Sequence, residues 1–262
     1  MTGIEDLSRY NPEGSTLRRA QLRMLYILQE VDKICRRHGI EYFLDGGSLI
    51  GAVRHGGFIP WDDDLDIAIM LKDYKRLRRL LVKELPEDLV LQDLRTDRNY
   101  PLLICKVRDR KSYFEDKEHG NLKENGIFLD IIPMEKVPSM KWKEKMDYLY
   151  GHCIRAIHNY TTKADKARSL AVFPAAWCLL QLTRFANLFS SSDMIAHRYG
   201  WKAYNSFSAK DTFPVKDMDF DGTMVMVPNN PDAVLKSMFG DYMRIPPEDK
   251  RPQHSGRIEF FD

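Results

Sequence analysis

Four aspartates crowd together at Asp62, Asp63, Asp64 and Asp66, and apolar Leu65 and Ile67 alternate with the last of them. The alternation belongs to an extended pattern that runs from Phe58 through Met70, with Pro60 as an early break. Side chains two apart on a strand share a face, so Asp64 and Asp66 point together, with Asp62 on that side one step earlier. Asp63 faces away and supports the turn. Carboxylates this close repel one another unless a cation lies between them. Mg²⁺ suits such a pair, with Mn²⁺ as the alternative, because it takes oxygen ligands and keeps waters or substrate phosphate in its shell. A solvated turn fits the spacing too. A calcium loop does not, since Ile67 stands where the EF-hand count from Asp62 to Asp73 needs glycine.

A further carboxylate narrows the choice. In Gly126-Ile127-Phe128-Leu129-Asp130-Ile131-Ile132-Pro133 a lone aspartate interrupts an apolar strand. An isolated buried carboxylate costs on the order of several kcal/mol, so Asp130 needs a metal or a partner such as a core arginine. Gly46, Gly47 and Ser48 lie between a strand over Ile40 to Asp45 and a brief helical turn over Leu49 to His55. Such a loop offers backbone N–H groups and a hydroxyl to a phosphate, although a plain tight turn would read the same. Arg54, His55, Lys106 and Arg108 are candidate phosphate clamps. Lys106 falls inside the apolar stretch Leu102 to Val107 and requires an anionic partner. In the tail, Lys250, Arg251 and His254 either reach over a bound phosphate or form a solvated end.

The remaining pattern is α/β. A helix capped by Ser15 or Thr16 runs to Gly39, and another covers Lys72 to Leu85 with Pro86 as its stop. Strands are expected at Leu89 to Leu94, Leu102 to Val107, Ser112 to Glu115 and Gly126 to Ile132. Mostly helical sequence follows from Lys141 to Tyr199, then a mixed segment, a short helix over Pro231 to Phe239 and a polar tail. This order divides the chain softly into a catalytic half, 1–138, and a helical half, 139–262, whose tail closes over it, unless the whole is one domain.

The balance of 40 basic against 38 acidic residues leaves no case for nucleic-acid binding. Cys35, Cys105, Cys153 and Cys178 form no Cys-x-x-Cys pair and read as reduced core thiols. The polar N-terminus lacks the apolar core of a secretory signal, and the cytoplasm is the expected location. From Ser169 to Thr183 no charge appears, but Pro174 interrupts the run and its length falls short of a membrane span. A buried helix hairpin is the expectation. A helix resting on the inner face of a membrane through residues 168–189 is the alternative, with Arg168 and Arg184 bracketing the run.

Gly46-Gly47-Ser48, then Gly51-Ala52-Val53-Arg54-His55-Gly56-Gly57-Phe58-Ile59-Pro60-Trp61-Asp62-Asp63-Asp64-Leu65-Asp66-Ile67, closely resembles the LicD family of phosphocholine transferases, whose domain fukutin and fukutin-related protein share. Phe128 to Pro133 resembles the family's second acidic strand, and Tyr242 to Arg251 with His254 its C-terminal signature. The resemblance implies a nucleotidyltransferase-like mixed sheet with flanking helices and a C-terminal helical annex. It implies that Asp64 and Asp66 bind Mg²⁺, that Asp130 is the third carboxylate, and that Gly47 and Ser48 hold a phosphate. It also implies a CDP-choline donor, or another CDP-alcohol such as CDP-ribitol, and a cell-surface glycan acceptor, lipid-linked or not, in lipopolysaccharide, teichoic acid or similar material. Choline would call for aromatic faces, and Trp61 is the nearest ring, unless it packs beside Pro60. Three other readings compete: nucleotidyl transfer from an NTP, a sugar transferase with an Asp-x-Asp metal site, and a non-catalytic module binding nucleotide or membrane.

Overall fold

Ser15 opens the first helix by accepting a hydrogen bond at its Oγ from the Arg18 N–H at 3.2 Å. In the computed structural model, which describes residues 6–116, 122–154, 162–201, 206–251 and 255–261, α1 spans Thr16–Arg37. Met24, Leu28, Val31 and Cys35 recur at helical spacing and are fully buried, and Gly39 takes the left-handed conformation that ends the helix. Then follow β1 (Tyr42–Leu44), α2 (Gly46–His55), β2 (Asp66–Met70), α3 (Leu71–Glu84), β3 (Leu89–Gln92), β4 (Cys105–Asp109), β5 (Ser112–Asp116) and β6 (Phe128–Lys136). Beyond these come α4 (Met140–Met146), a π-helical turn Asp147–Gly151, α5 (Lys163–Leu188), β7 (Met194–His197) and β8 (Ser206–Ser208). The hairpin β9 (Lys216–Phe220) and β10 (Thr223–Val227), α6 (Pro231–Phe239) and β11 (Ser255–Phe260) complete the chain.

The fold is the expected mixed α/β architecture. A seven-stranded sheet runs β1-β2-β6-β4-β3, with β7 on β6 and β8 on β7. Only the β2–β6 pair among these is parallel. α1 and α3 pack on the sheet and bury its apolar residues, Ile67, Ile69, Leu129 and Ile131 among them. Arg23 of α1 locks this layer by donating to Asp88 at 2.5 Å and Asp109 at 2.7 Å.

Three expectations change. The strand expected from Phe58 to Met70 shrinks to Asp66–Met70. Ahead of it, Asp62 N–H closes a turn on Ile59 O, and Gln21 of α1 donates to the carbonyls of Ile59 and Asp62. Those backbone groups are spent on a turn and a helix side chain, so no ladder forms. Asp62 and Asp64 therefore precede the strand, and Asp63 is buried rather than turned outward.

Sequence beyond residue 138 is less helical than its pattern suggests. β7 and β8 extend the sheet, the β9–β10 hairpin packs on β1, and β11 pairs with β5.

The third change concerns 169–183, which forms no buried hairpin. It lies within the single 26-residue helix α5, with Pro174 inside and only 22% of its most apolar window buried. Pro174 is exposed, so water can serve the carbonyl that its missing N–H leaves unbonded. The helix is long and apolar enough to cross a membrane by length and composition. All four cysteines are free, as expected, but Cys178 on α5 is exposed rather than in the core.

Candidate active site

Register builds the site. Asp66 at the start of β2 stands opposite Asp130 of β6, Asp130 opposite Lys106 of β4, and Lys106 opposite Gln92 of β3. Cross-strand partners present their side chains on one face, so these four form a row across the sheet. Asp45 extends the row past β1, its N–H donating to Asp66 O at 3.1 Å. Lys106 finds the anion its apolar stretch demands. Its Nζ lies 2.8 Å from Asp130 Oδ2 and 2.7 Å from Oδ1, over the Phe128 ring at 3.5 Å. The Oδ1 approach is an ion pair off the hydrogen-bond direction, so this oxygen has no directional donor.

Charge in the row is unbalanced. Burial pushes the Asp66 carboxyl well above its ordinary range, and Asp64, Asp130 and Asp45 push it further, with Lys106 opposing. Burial likewise raises Asp62, reinforced by Asp64 and then Asp63. Among the described residues, Lys106 is the ammonium that faces Asp66 and Asp130.

α2 begins at the row. Asp45 precedes it, yet its carboxylate does not cap the helix; Oδ2 instead meets His197 Nε2 of β7 at 2.8 Å, with both groups buried. The first-turn amides therefore have neither an intrahelical partner nor this side chain, and they start beside the acids. A Cβ on Gly47 would stand 3.0 Å from Asp62 Oδ2, and one on Gly46 3.8 Å from Asp66 Oδ2. The glycines expected in a loop thus form the opening turn of the helix. Ser48 Oγ accepts from Asp66 N–H at 2.8 Å, fixing the start of β2 and leaving the hydroxyl proton to donate.

Most other candidates are engaged within the chain. Arg54 donates to Tyr242 O at 2.6 Å and to His55 Nε2 at 2.9 Å, so it holds the C-terminal segment instead of standing open to a phosphate. Burial, with Arg54 adding to it, pulls the His55 imidazole down to about 4, which keeps it a neutral acceptor. Trp61 is buried, meets Tyr10 and His55 edge-on, and carries the Arg251 guanidinium 4.5 Å from its ring centre. Its cation-binding face is therefore filled from within the chain, which makes it a packing residue rather than a choline cage. Arg251 also donates to Tyr10 Oη and Pro246 O, so it pins the tail. Arg108 is fully buried and spends its guanidinium on Gln92 and Gly126 O. Lys250 is exposed, and His254 lies outside the described residues.

Sequence reading missed Asp45, His197 and Tyr100. Asp45 carries a signal in hindsight, an acid directly before Gly46 at a helix start. His197 sits in a short strand inside a helical-looking stretch and has none. Tyr100 is buried with an unpartnered hydroxyl, and burial and then Asp130 raise its phenol.

Among the described residues, no three His, Cys, Asp or Glu side chains are already gathered around one point. The donor set nonetheless fits Mg²⁺. It consists of oxygens, its charge is in excess, and Asp130 Oδ1 and Asp45 Oδ1 lack hydrogen-bond partners. Mg²⁺ is commonly held by one or two carboxylates and completed by water and substrate phosphate.

A mixed sheet with acids on adjacent strands beside a glycine-started helix defines a nucleotidyltransferase-type domain. Residues 39–152 match the family model described as LicD/FKTN/FKRP, nucleotidyltransferase domain. The chain is 29% identical to the lipopolysaccharide cholinephosphotransferase LicD of Haemophilus influenzae, over 91% of this chain and 96% of that protein. An uncharacterized protein of Rickettsia prowazekii is 35% identical over 60% of this chain and 51% of its own length. A segment covering 16% of this chain is 52% identical to the ribitol 5-phosphate transferase FKRP of Homo sapiens, where it makes up 8% of the protein.

Proposed function

We propose that this chain transfers phosphocholine, or a related phospho-alcohol, from a CDP-linked donor to a hydroxyl of a cell-surface glycan, releasing CMP. The observation that carries the reading is the row Asp66–Asp130–Lys106 beside the first turn of α2. Similarity to a cholinephosphotransferase along nearly the whole chain supports the choline donor, and the short FKRP segment keeps ribitol as its rival.

Asp64 and Asp66, with Asp130, would hold Mg²⁺, which when bound supplies Lewis-acid neutralisation of the donor diphosphate. The chain's own groups do the rest. Gly46 and Gly47 amides and the Ser48 hydroxyl receive phosphate oxygens at the positive end of α2. The acceptor oxygen attacks the phosphorus that carries the alcohol, and the bond from that phosphorus to the CMP oxygen breaks. Asp130 takes the acceptor proton, and Lys106 beside it offsets charge on the transferred group. His197 holds the Asp45 carboxylate away from the helix start, so a substrate phosphate meets amides there.

Purified protein with Mg²⁺ and separate CDP-choline, CDP-ribitol, CDP-glycerol and NTPs tests the reading by mass spectrometry. CMP from CDP-choline, even by slow hydrolysis, supports it. CMP from CDP-ribitol alone reassigns the alcohol, and pyrophosphate from an NTP replaces the reaction with nucleotidyl transfer.

A further inference from the structure

α5 is amphipathic in reverse. Its buried stripe is Ser169, Ala176, Leu180, Thr183 and Asn187, mostly small or polar. Its exposed side presents Leu170, Val172, Trp177, Leu182, Phe185 and Leu188. From Ser169 through Phe189 the sole charged residue is Arg184, and its guanidinium is folded back onto Glu135 at 2.7 and 2.9 Å. Exposed Trp142 and Tyr148 widen the apolar surface. A contiguous face of this kind on a helix about 39 Å long marks an interaction site rather than scattered surface apolars.

The flanks say what covers it. Trp177 and Gln181 wall a cavity of about 840 Å³ whose lining includes Lys75, Arg79 and Arg95. Arg168 stands at the other end of the apolar run. Among the described residues none of these four cations meets a carboxylate. An apolar face edged by unpaired cations complements a bilayer with anionic headgroups, whereas a second copy of the chain would bring the same cations. The orientation is also fixed. The buried stripe runs from Ser169 to Asn187, and Asn187 donates to Lys136 O, so standing α5 across a bilayer would strip these contacts.

We infer that α5 lies in the plane of an anionic bilayer surface, with Leu182 and Phe185 among the acyl chains and Lys75, Arg79 and Arg95 at headgroup level. The inference does not depend on the reaction, because its readout is binding. The full chain is floated with vesicles of phosphatidylcholine alone or mixed with phosphatidylglycerol. The wild type is expected to float with the mixed vesicles and on the order of tenfold less with phosphatidylcholine alone. The double variant Leu182→Glu/Phe185→Glu should lose flotation with unchanged circular dichroism, since both positions are exposed. Lys75→Glu/Arg79→Glu should abolish the preference for anionic vesicles, and it carries the test alone if the first variant fails to fold. Three results overturn the inference: a wild type that floats with neither vesicle, variants that float as the wild type does, or a wild-type dimer in sedimentation that Leu182→Glu/Phe185→Glu dissolves without any vesicle binding. Retention on vesicles through alkaline carbonate would replace the in-plane helix with a spanning one.

Discussion

Asp66 and Asp130 face each other in register across adjacent parallel strands, yet the buried ammonium of Lys106 makes its ion pair with Asp130. The two acids therefore differ in what they do for stability. Burial and three neighbouring acids disfavour the ionised form of Asp66, while Asp130 balances a charge that would otherwise be stranded.

Substituting each acid by asparagine separates these roles. Asp66→Asn removes a carboxyl whose ionisation is penalised, so without divalent cation the variant should melt at or above the wild type. Asp130→Asn leaves Lys106 buried without its ion-pair partner and should cost about 3 kcal/mol. Both should lower CMP release on the order of a hundredfold or more if the row carries the reaction. Melting in EDTA and turnover with Mg²⁺ read the two effects separately. Asp66→Asn that destabilises while Asp130→Asn does not would reverse the assignment.

Acidification should weaken the fold through His55. Its imidazole is held at about 4 by burial, against about 6.5 in an unfolded chain. Between those values the unfolded chain binds more protons, so stability is complete above pH 6.5 and falls as the pH drops toward 4. From pH 7 to 5 the loss should be about 1 kcal/mol, allowing for partial solvent access. His55→Gln keeps an acceptor for Arg54 and should flatten that part of the profile. Thermal melts at both pH values compare the two proteins.

The Asp45–His197 pair should behave as one unit. Each is buried, and their contact at 2.8 Å joins the helix start to β7 across the sheet. His197→Ala leaves the Asp45 carboxylate without that partner beside Asp66, and about 2–4 kcal/mol of destabilisation is expected. Asp45→Asn combined with His197→Ala should cost less than the sum of the single changes. Strict additivity in denaturant melts would show that the two are not coupled.

Much of the fold was legible because periodicity and caps are local. Ser15, Gly39, Pro86 and Pro231 bound helices where the residue types say they should, and β3 to β6 overlap the expected stretches, with β4, β5 and β6 running past them to Asp109, Asp116 and Lys136. Asp66, Asp130 and Lys106 were readable because a charge inside an apolar strand needs a partner wherever the chain folds. What escaped depends on contacts between distant segments. Gln21 claims the backbone before Asp66, β7 delivers His197 from a stretch that looks helical, and Arg251 covers Trp61 from the far end of the chain. α5 misled for a different reason: its small and polar residues pack inward while its large apolar side chains face outward, which composition alone does not reveal.

Gly51 offers a test of how tightly α2 is seated. A Cβ there would lie 2.4 Å from Gly57 O and 3.3 Å from Ile59 N, both backbone atoms that cannot rotate away. Gly51 lacks a positive φ, so in an isolated helix alanine would be favoured over glycine by about 1 kcal/mol. The close approach should reverse that preference, because the segment leading to Asp62 must move for the methyl to fit. Gly51→Ala is therefore expected to destabilise by about 1–3 kcal/mol. The displaced 57–62 segment should also lower turnover beyond what reduced stability explains. Gly14→Ala has open space around its Cβ but a positive φ, and it should lose stability from strain alone, without a change in turnover per folded molecule. If Gly51→Ala were as stable and active as the wild type, α2 would not be packed against this turn as described.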